Sequence, residues 1–192
     1  MRQRPVVGSS EPPRLATLVE VPADAGRPAR SCRDASEYFA STPLADREYW
    51  YGAHLRVLEE RPLCAGADER TEVYRLTWLP SFDPSVVVDI ERDSDTYRIT
   101  AKIESGAGGY QPGHLASDTS YALTDAEVRE FARLLSAARY WALPTEPPPN
   151  GMMGLDGSQW VLEGVSGGRY HVVDRWSPKR EGPDAAYCRL GE

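Results

Sequence analysis

The densest set of side chains able to do acid–base or ligand chemistry lies in the last third of the chain. There Gln159, Glu163, His171 and Arg175 stand within two runs of alternating apolar and polar residues. A carboxylate beside an imidazole raises the imidazole pKa and orients the ring for proton transfer, and a neighbouring guanidinium can hold an anionic substrate group. The runs, Gln159 to Val165 and Arg169 to Trp176, are separated by Ser166, Gly167 and Gly168, which signals a hairpin. A three-residue loop sets Glu163 opposite His171. It places Trp160, Leu162, Tyr170, Val172 and Trp176 on one face, with Gln159, Glu163, His171 and Arg175 on the other beside Val161 and Val173. A two-residue loop instead groups His171 with Trp160 and Leu162. Glu163 and His171 also admit a plain reading as a cross-strand ion pair, worth roughly 0.2 to 1 kcal/mol on an exposed face.

Other chemistries find weaker support. Asp156, His171 and Asp174 are of types that suit zinc or manganese, but their spacing matches no ligand pattern, and His54 and His114 fall in other elements, so no metal is expected. No cofactor motif is present: the Ser105 to Gly109 loop is Gly-rich yet lacks the Lys and Ser or Thr of a phosphate-binding loop. There is no G-x-S-x-G elbow, and nothing near Cys32, Cys64 or Cys188 argues for a lowered thiol pKa. Three cysteines are too few for a disulfide framework, and reduced thiols are the default. A Cys32–Cys64 or Cys64–Cys188 bridge fits an exported protein.

The elements that must position these residues follow from the apolar periods. Thr42 and Pro43 mark a helix start, and Leu44, Tyr51, Leu55 and Leu58 then share one face, predicting a helix over about 43–60. From Thr71 the period becomes two. Tyr74, Leu76 and Trp78, then Val86, Val88 and Ile90, then Tyr97, Ile99, Ala101 and Ile103 mark three strands in series, with a turn at Asp93, Ser94 and Asp95. A long Gly-rich connection is expected from Glu104 to Ser120. Thr124, Asp125, Ala126 and Glu127 spell a capping box, and Val128, Phe131, Leu134, Leu135 and Ala138 line the apolar face of the helix it starts. Tyr140, Trp141 and Leu143 plug the core edge before the Pro147 to Pro149 run. A second Gly-rich loop spans Asn150 to Gly157, and an edge strand is expected near Ala186 to Leu190.

The fold class is therefore α+β, an antiparallel sheet built from a meander and a C-terminal hairpin and packed against one or two amphipathic helices. Residues 1–33 read as a Pro- and Arg-rich arm, mobile or loosely draped, whose Leu15 to Val21 stretch could add an edge strand, and 34–192 as a single α+β domain. With 41% hydrophobic residues, five Trp and ten Tyr, the chain has apolar area enough for a core, and Trp78, Trp141, Trp160 and Trp176 are assigned to that core or its rim. The formal net charge of -7 opposes nucleic acid and anionic membrane surfaces. No apolar run reaches the roughly 18 residues of a membrane helix, and the first 30 residues lack the apolar region of a signal peptide.

One resemblance adds to this. The Tyr74-Arg75-Leu76-Thr77-Trp78-Leu79 run, the Gly106-Ala107-Gly108-Gly109-Tyr110 loop, the Gly151 to Gly157 turn and the Tyr170 to Pro178 segment resemble a group of uncharacterised bacterial proteins, some with export or lipoprotein signals. The resemblance covers Tyr74 to Pro178. It implies no activity; it implies the bacterial envelope if an export signal has been removed, where the sequence as it stands reads as cytoplasmic, and a further apolar strand beyond Glu192. The functional expectation is a non-catalytic binding or protein-interaction domain, contacting its partner through Tyr110, Asp156, Gln159, Glu163, His171 and Arg175. The alternative is a hydrolase using Glu163 and His171 as acid and base, with Arg175 as anion holder.

Overall fold

The computed structural model describes residues 14–23, 25–28, 37–39, 42–65, 68–147 and 156–192. Cys32, the first thirteen residues and most of the Asn150 to Gly157 loop lie outside the described residues. The chain runs through a single helical turn α1 (Leu15–Leu18), a two-residue strand β1 (Arg27–Pro28) and helix α2 (Glu48–Val57). The meander β2 (Val73–Pro80), β3 (Val86–Asp93), β4 (Thr96–Glu104) and β5 (Leu115–Ala122) comes next. Helix α3 (Asp125–Ala137), the hairpin β6 (Ser158–Ser166) and β7 (Arg169–Trp176), and a short helix α4 (Ala185–Leu190) complete it. The strands make one antiparallel sheet in the order β1-β7-β6-β2-β3-β4-β5. The α+β meander-plus-hairpin architecture is thus observed.

Both faces of the β2, β6 and β7 half are covered. On one, Val73, Val161, Val165, Tyr170 and Val172 meet Leu44, Tyr51, Leu55 and Leu58 from the α2 region. On the other, Tyr74, Leu162 and Val173 meet Leu15, Val128, Ala132, Leu135, Tyr140, Trp141 and Tyr187. Helix α3 starts as expected: the Glu127 amide donates to Thr124 Oγ1, and the Thr124 amide donates to the Glu127 carboxylate at 2.7 Å. Helix α2 begins later than its sequence signal. Thr42 caps a tight turn through the Leu44 amide (3.0 Å), and a 3₁₀ turn at Ala45–Arg47 precedes the α-helix.

Three expectations are revised and one is narrowed. The Glu104 to Ser120 connection ends in β5, which runs on to Ala122; all its residues but Leu115 are exposed and no apolar alternation marks it. Ala186 to Leu190 is helical; Tyr187 from α4 buries its ring and donates to the Trp160 and Val173 carbonyls, which fixes this segment across the sheet face. Trp176 is 36% exposed, so of the two placements open to it, core or rim, core packing is ruled out at this position. Within the expected arm, Leu15 to Leu18 forms the α1 turn in place of a strand, and Leu15, Val19 and Ala25 are buried against the sheet. Its anchor is the Leu15 amide, which donates to Tyr97 Oη at 2.8 Å while that hydroxyl donates to Glu72 Oε2 at 2.5 Å.

Cys64 is disulfide-bonded, whereas Cys188 is a buried free thiol. Alkylation in denaturant should therefore label Cys188 but not Cys64 before reduction, and both after it; labelling of Cys64 without reductant would contradict the disulfide. Tyr97→Phe strands two buried polar partners and should lower the unfolding free energy by about 1 to 3 kcal/mol in urea titrations. An unchanged midpoint would show that the anchor contributes nothing.

Candidate functional site

The turn between β6 and β7 decides where the reactive side chains point. Ser166 pairs with Arg169, leaving a two-residue loop of Gly167 and Gly168, both at positive φ (57° and 70°). That is the mirror-image turn matching strand twist, for which glycine has no steric penalty. Glu163 consequently pairs with Val172, and His171 with Gly164. Residues two apart along a strand share a face, so Glu163, Gln159 and Asp174 face α2, while His171 and Arg175 face α3 and α4. The expected Glu163–His171 pair is thereby overturned: the two lie on opposite faces of the sheet, and no pocket can unite them with Arg175. Asp174 and His171 are separated in the same way, which removes the Asp156, His171 and Asp174 trio as a metal set. Among the described residues no group of three or more His, Cys, Asp and Glu is placed to hold a metal ion.

Each of these groups serves the framework. Glu163 is fully buried; Oε1 accepts from Tyr170 Oη at 2.9 Å, and Oε2 stands 3.8 Å from Arg75 Nη1 without a hydrogen-bond partner. Arg75, 1% exposed, donates to Asp89 Oδ1 (2.9 Å), to Glu60 Oε2 (2.6 Å) and to the Arg61 carbonyl (2.8 Å). Lys102 closes the network on Glu60 Oε1 at 2.9 Å. Burial pushes the Glu163 carboxyl up to about 7, the nearby Arg75 guanidinium and the Tyr170 hydrogen bond offsetting only part of it. Gln159 Nε2 donates to Asp174, which also accepts from Arg47 and, at 3.0 Å, from Tyr51; burial still raises the Asp174 pKa.

On the opposite face, His171 hydrogen-bonds the Leu143 carbonyl through Nε2 at 2.9 Å and stacks on Trp141, and burial lowers its pKa. Arg175 spends its donors on the Pro144, Thr145 and Asp174 carbonyls and on Asp184, with its guanidinium over the Tyr187 ring. With these four hydrogen bonds it clamps the loop that leaves α3. A third buried cluster joins His54 Nδ1 to Glu104 (2.8 Å) and to Ser85 Oγ (3.4 Å). Both partners meet the same ring nitrogen, so the three do not form a nucleophile-activating relay, which needs the two nitrogens to serve different partners.

No family model, curated protein or solved structure matches the chain. The site must be read from its geometry. Of the six expected contact residues, only Tyr110 (68% exposed) and Asp156 reach solvent. Tyr110 sits on the β4–β5 loop beside Phe82 (65% exposed) of the β2–β3 loop, with ring centroids 6.3 Å apart. The loop bearing Tyr110 is not the flexible connector its glycines suggest. Its amides close a narrow hairpin through Ser105 to His114, Gly106 to Pro112 and Ala107 to Gln111. Gly108 passes so close to Leu79 and Pro80 that a Cβ would fall 2.7 Å from backbone atoms, and its carbonyl accepts from Trp50 Nε1 at 2.7 Å. The Gly157 end of the other Gly-rich loop bonds Ser81 through its carbonyl (2.8 Å), so both loops brace the β2–β3 turn.

Phe82 and the Arg75 network are absent from the sequence reading. A lone Arg in the apolar run Val73 to Leu79 is the signal that would have found the network, since a charge there must be paired.

The raised Glu163 pKa has a defined consequence for stability. Its carboxyl shifts from an ordinary value of 4.5 to about 7 on folding, so the folded chain keeps a proton that the unfolded chain has released. Ionised Glu163 therefore opposes folding by an amount that is absent below about pH 4.5, grows to about pH 7 and is constant above it. Glu163→Gln should be more stable relative to wild type at pH 8 than at pH 4.5, by on the order of 3 kcal/mol. Parallel stability curves for the two proteins across that range would disprove the shift.

Proposed function

We propose that the chain is a non-catalytic binding domain that engages a protein partner through the loop end of the sheet. The observation that carries this reading is the Phe82–Tyr110 pair, two large rings held in the open by hydrogen-bonded loops rather than folded into the core. Exposed aromatics on a pre-ordered backbone supply contact area without the ordering cost of a mobile loop, and such anchors dominate protein interfaces. Trp176 and Asp156 lie at the same end, next to Gly157. The net charge of -7 favours a partner that is neutral or basic where it meets this end.

The hydrolase alternative draws no support from the geometry, because its acid, base and anion holder are locked into separate buried networks. The disulfide at Cys64 supports a working environment that is oxidising, in keeping with the bacterial envelope implied by the resemblance. No helix among the described residues is long and apolar enough to cross a membrane.

The test compares two baits, wild type and the Phe82→Ser/Tyr110→Ser double variant, for proteins held from an extract of the native host. Both sites are exposed, so the melting temperature should be unchanged, while a protein retained in stoichiometric amount by wild type should fall at least about tenfold on the variant. Equal recovery on both baits would refute the loop end as the working surface.

A further inference from the structure

The two edges of the sheet are built differently. On one side β7 is flanked by β1 and by Thr145, whose carbonyl accepts from the Asp174 amide at 2.7 Å. On the other, β5 ends the sheet with no strand beside it among the described residues, and every residue from Ala116 to Ala122 is exposed. An open edge of this length is normally blunted by Pro, Lys or a bulge on the free side. β5 has no Pro and no Lys, and the irregularity at Ile103/Glu104 distorts only its first pairing, with Leu115. The apolar surface also runs out to this edge. On the face of Ile99, Ala101 and Ile103, Tyr121 (55% exposed) and Ile103 (38% exposed) stand at opposite ends, and Ser117, small, lies beside Ile103.

The geometry points to β5 as a self-association edge, on which a second copy of this chain adds its own β5 antiparallel about a two-fold axis at Thr119. The Leu123 amide donates to the Tyr97 carbonyl, so Leu123, and by alternation Tyr121, Thr119 and Ser117, direct their amides and carbonyls inward to β4. Those of Ala116, Asp118, Ser120 and Ala122 therefore point outward. A two-fold axis at Thr119 pairs Asp118 with the second copy's Ser120, and Ser117 with the second copy's Tyr121.

Charge selects this register among its neighbours. An axis at Asp118 sets two carboxylates directly opposite, and an axis at Ser120 shortens the paired stretch, whereas the Thr119 register offers each Asp118 a hydroxyl donor and keeps Lys102 next to it on its own chain. Shape agrees: each exposed Tyr121 crosses the small Ser117 of the other copy towards that copy's Ile103, so the two most exposed apolar side chains of this face cover each other twice. A pairing of seven residues with one apolar row per side is small for an interface, which places the dimer in the micromolar class. This edge is separate from the Phe82–Tyr110 surface and does not depend on it.

Sedimentation equilibrium over about 1 to 100 μM reads the association directly. Wild type should pass from monomer to dimer across that range. Ser120→Pro removes an outward amide and no bond to β4, so it should keep the wild-type melting temperature and raise the dimer Kd at least about 100-fold. Thr119→Cys places two thiols at a non-hydrogen-bonded pair, where Cα atoms lie about 4.5 Å apart, and should give a disulfide-linked dimer on mild oxidation, whereas Ser120→Cys should not. A wild type that stays monomeric throughout overturns the proposal, as does a dimer that survives Ser120→Pro. If Ser120→Pro fails to fold, the cross-link decides: no Thr119→Cys dimer, or equal linkage at both positions, overturns it.

Discussion

A guanidinium removed from water must find its hydrogen bonds inside the protein, and Arg75 meets that requirement with groups from several elements at once. It ties the Arg61 carbonyl and Glu60, just beyond the end of α2, to Asp89 on β3, and stands beside Glu163 on β6. Leaving such a charge unpaired costs several kcal/mol, so the segment after α2 has little choice of position over the sheet. The position of that segment in turn covers Val73, Val161 and Val165 and closes one of the two cores. Glu163 completes the arrangement as a carboxyl beside a cation that already holds other partners, and this is why burial dominates its titration.

The same logic repeats around the β6–β7 hairpin. Asp174 gathers Arg47, Tyr51 and Gln159 on one face, and Arg175 gathers the carbonyls of Pro144 and Thr145 on the other. Adjacent residues on one strand thus fasten two different layers to the sheet. The cost is that Glu163, His171 and Arg175 are all held in buried contacts, Glu163 on one face of the sheet and the other two on the opposite one. At the perimeter, backbone hydrogen bonds hold the loops and β5 forms an edge.

That perimeter is uneven in a way that the layers explain. α3, α4 and the N-terminal segment cover the sheet face over β2, β6 and β7, but Val86 and Val88 on β3 and Ala101 on β4, farther out, are only half-buried. Apolar side chains therefore continue beyond the helices towards β5. The loop end shows the complementary pattern, with rigid backbone and two exposed rings. Both regions combine ordered backbone with exposed apolar side chains.

Features set by local forces were legible from the residues alone. The Thr124–Glu127 capping box starts α3, the alternation of Tyr97, Ile99 and Ala101 marks β4, and the Gly167–Gly168 pair marks the hairpin; all act within a few residues. Tyr110 was legible as an outward residue because its loop is polar and glycine-rich. β5 was not, since a polar edge strand has no periodic apolar signal and exists only because β4 offers it hydrogen bonds. The hairpin register turned on a single residue of loop length, and a one-residue shift moves every side chain to the opposite face. That both faces are buried, with Glu163 and His171 on opposite sides of the sheet, emerges solely from long-range packing: a charged residue in an alternating strand looks the same in sequence whether water or a buried counter-ion satisfies it.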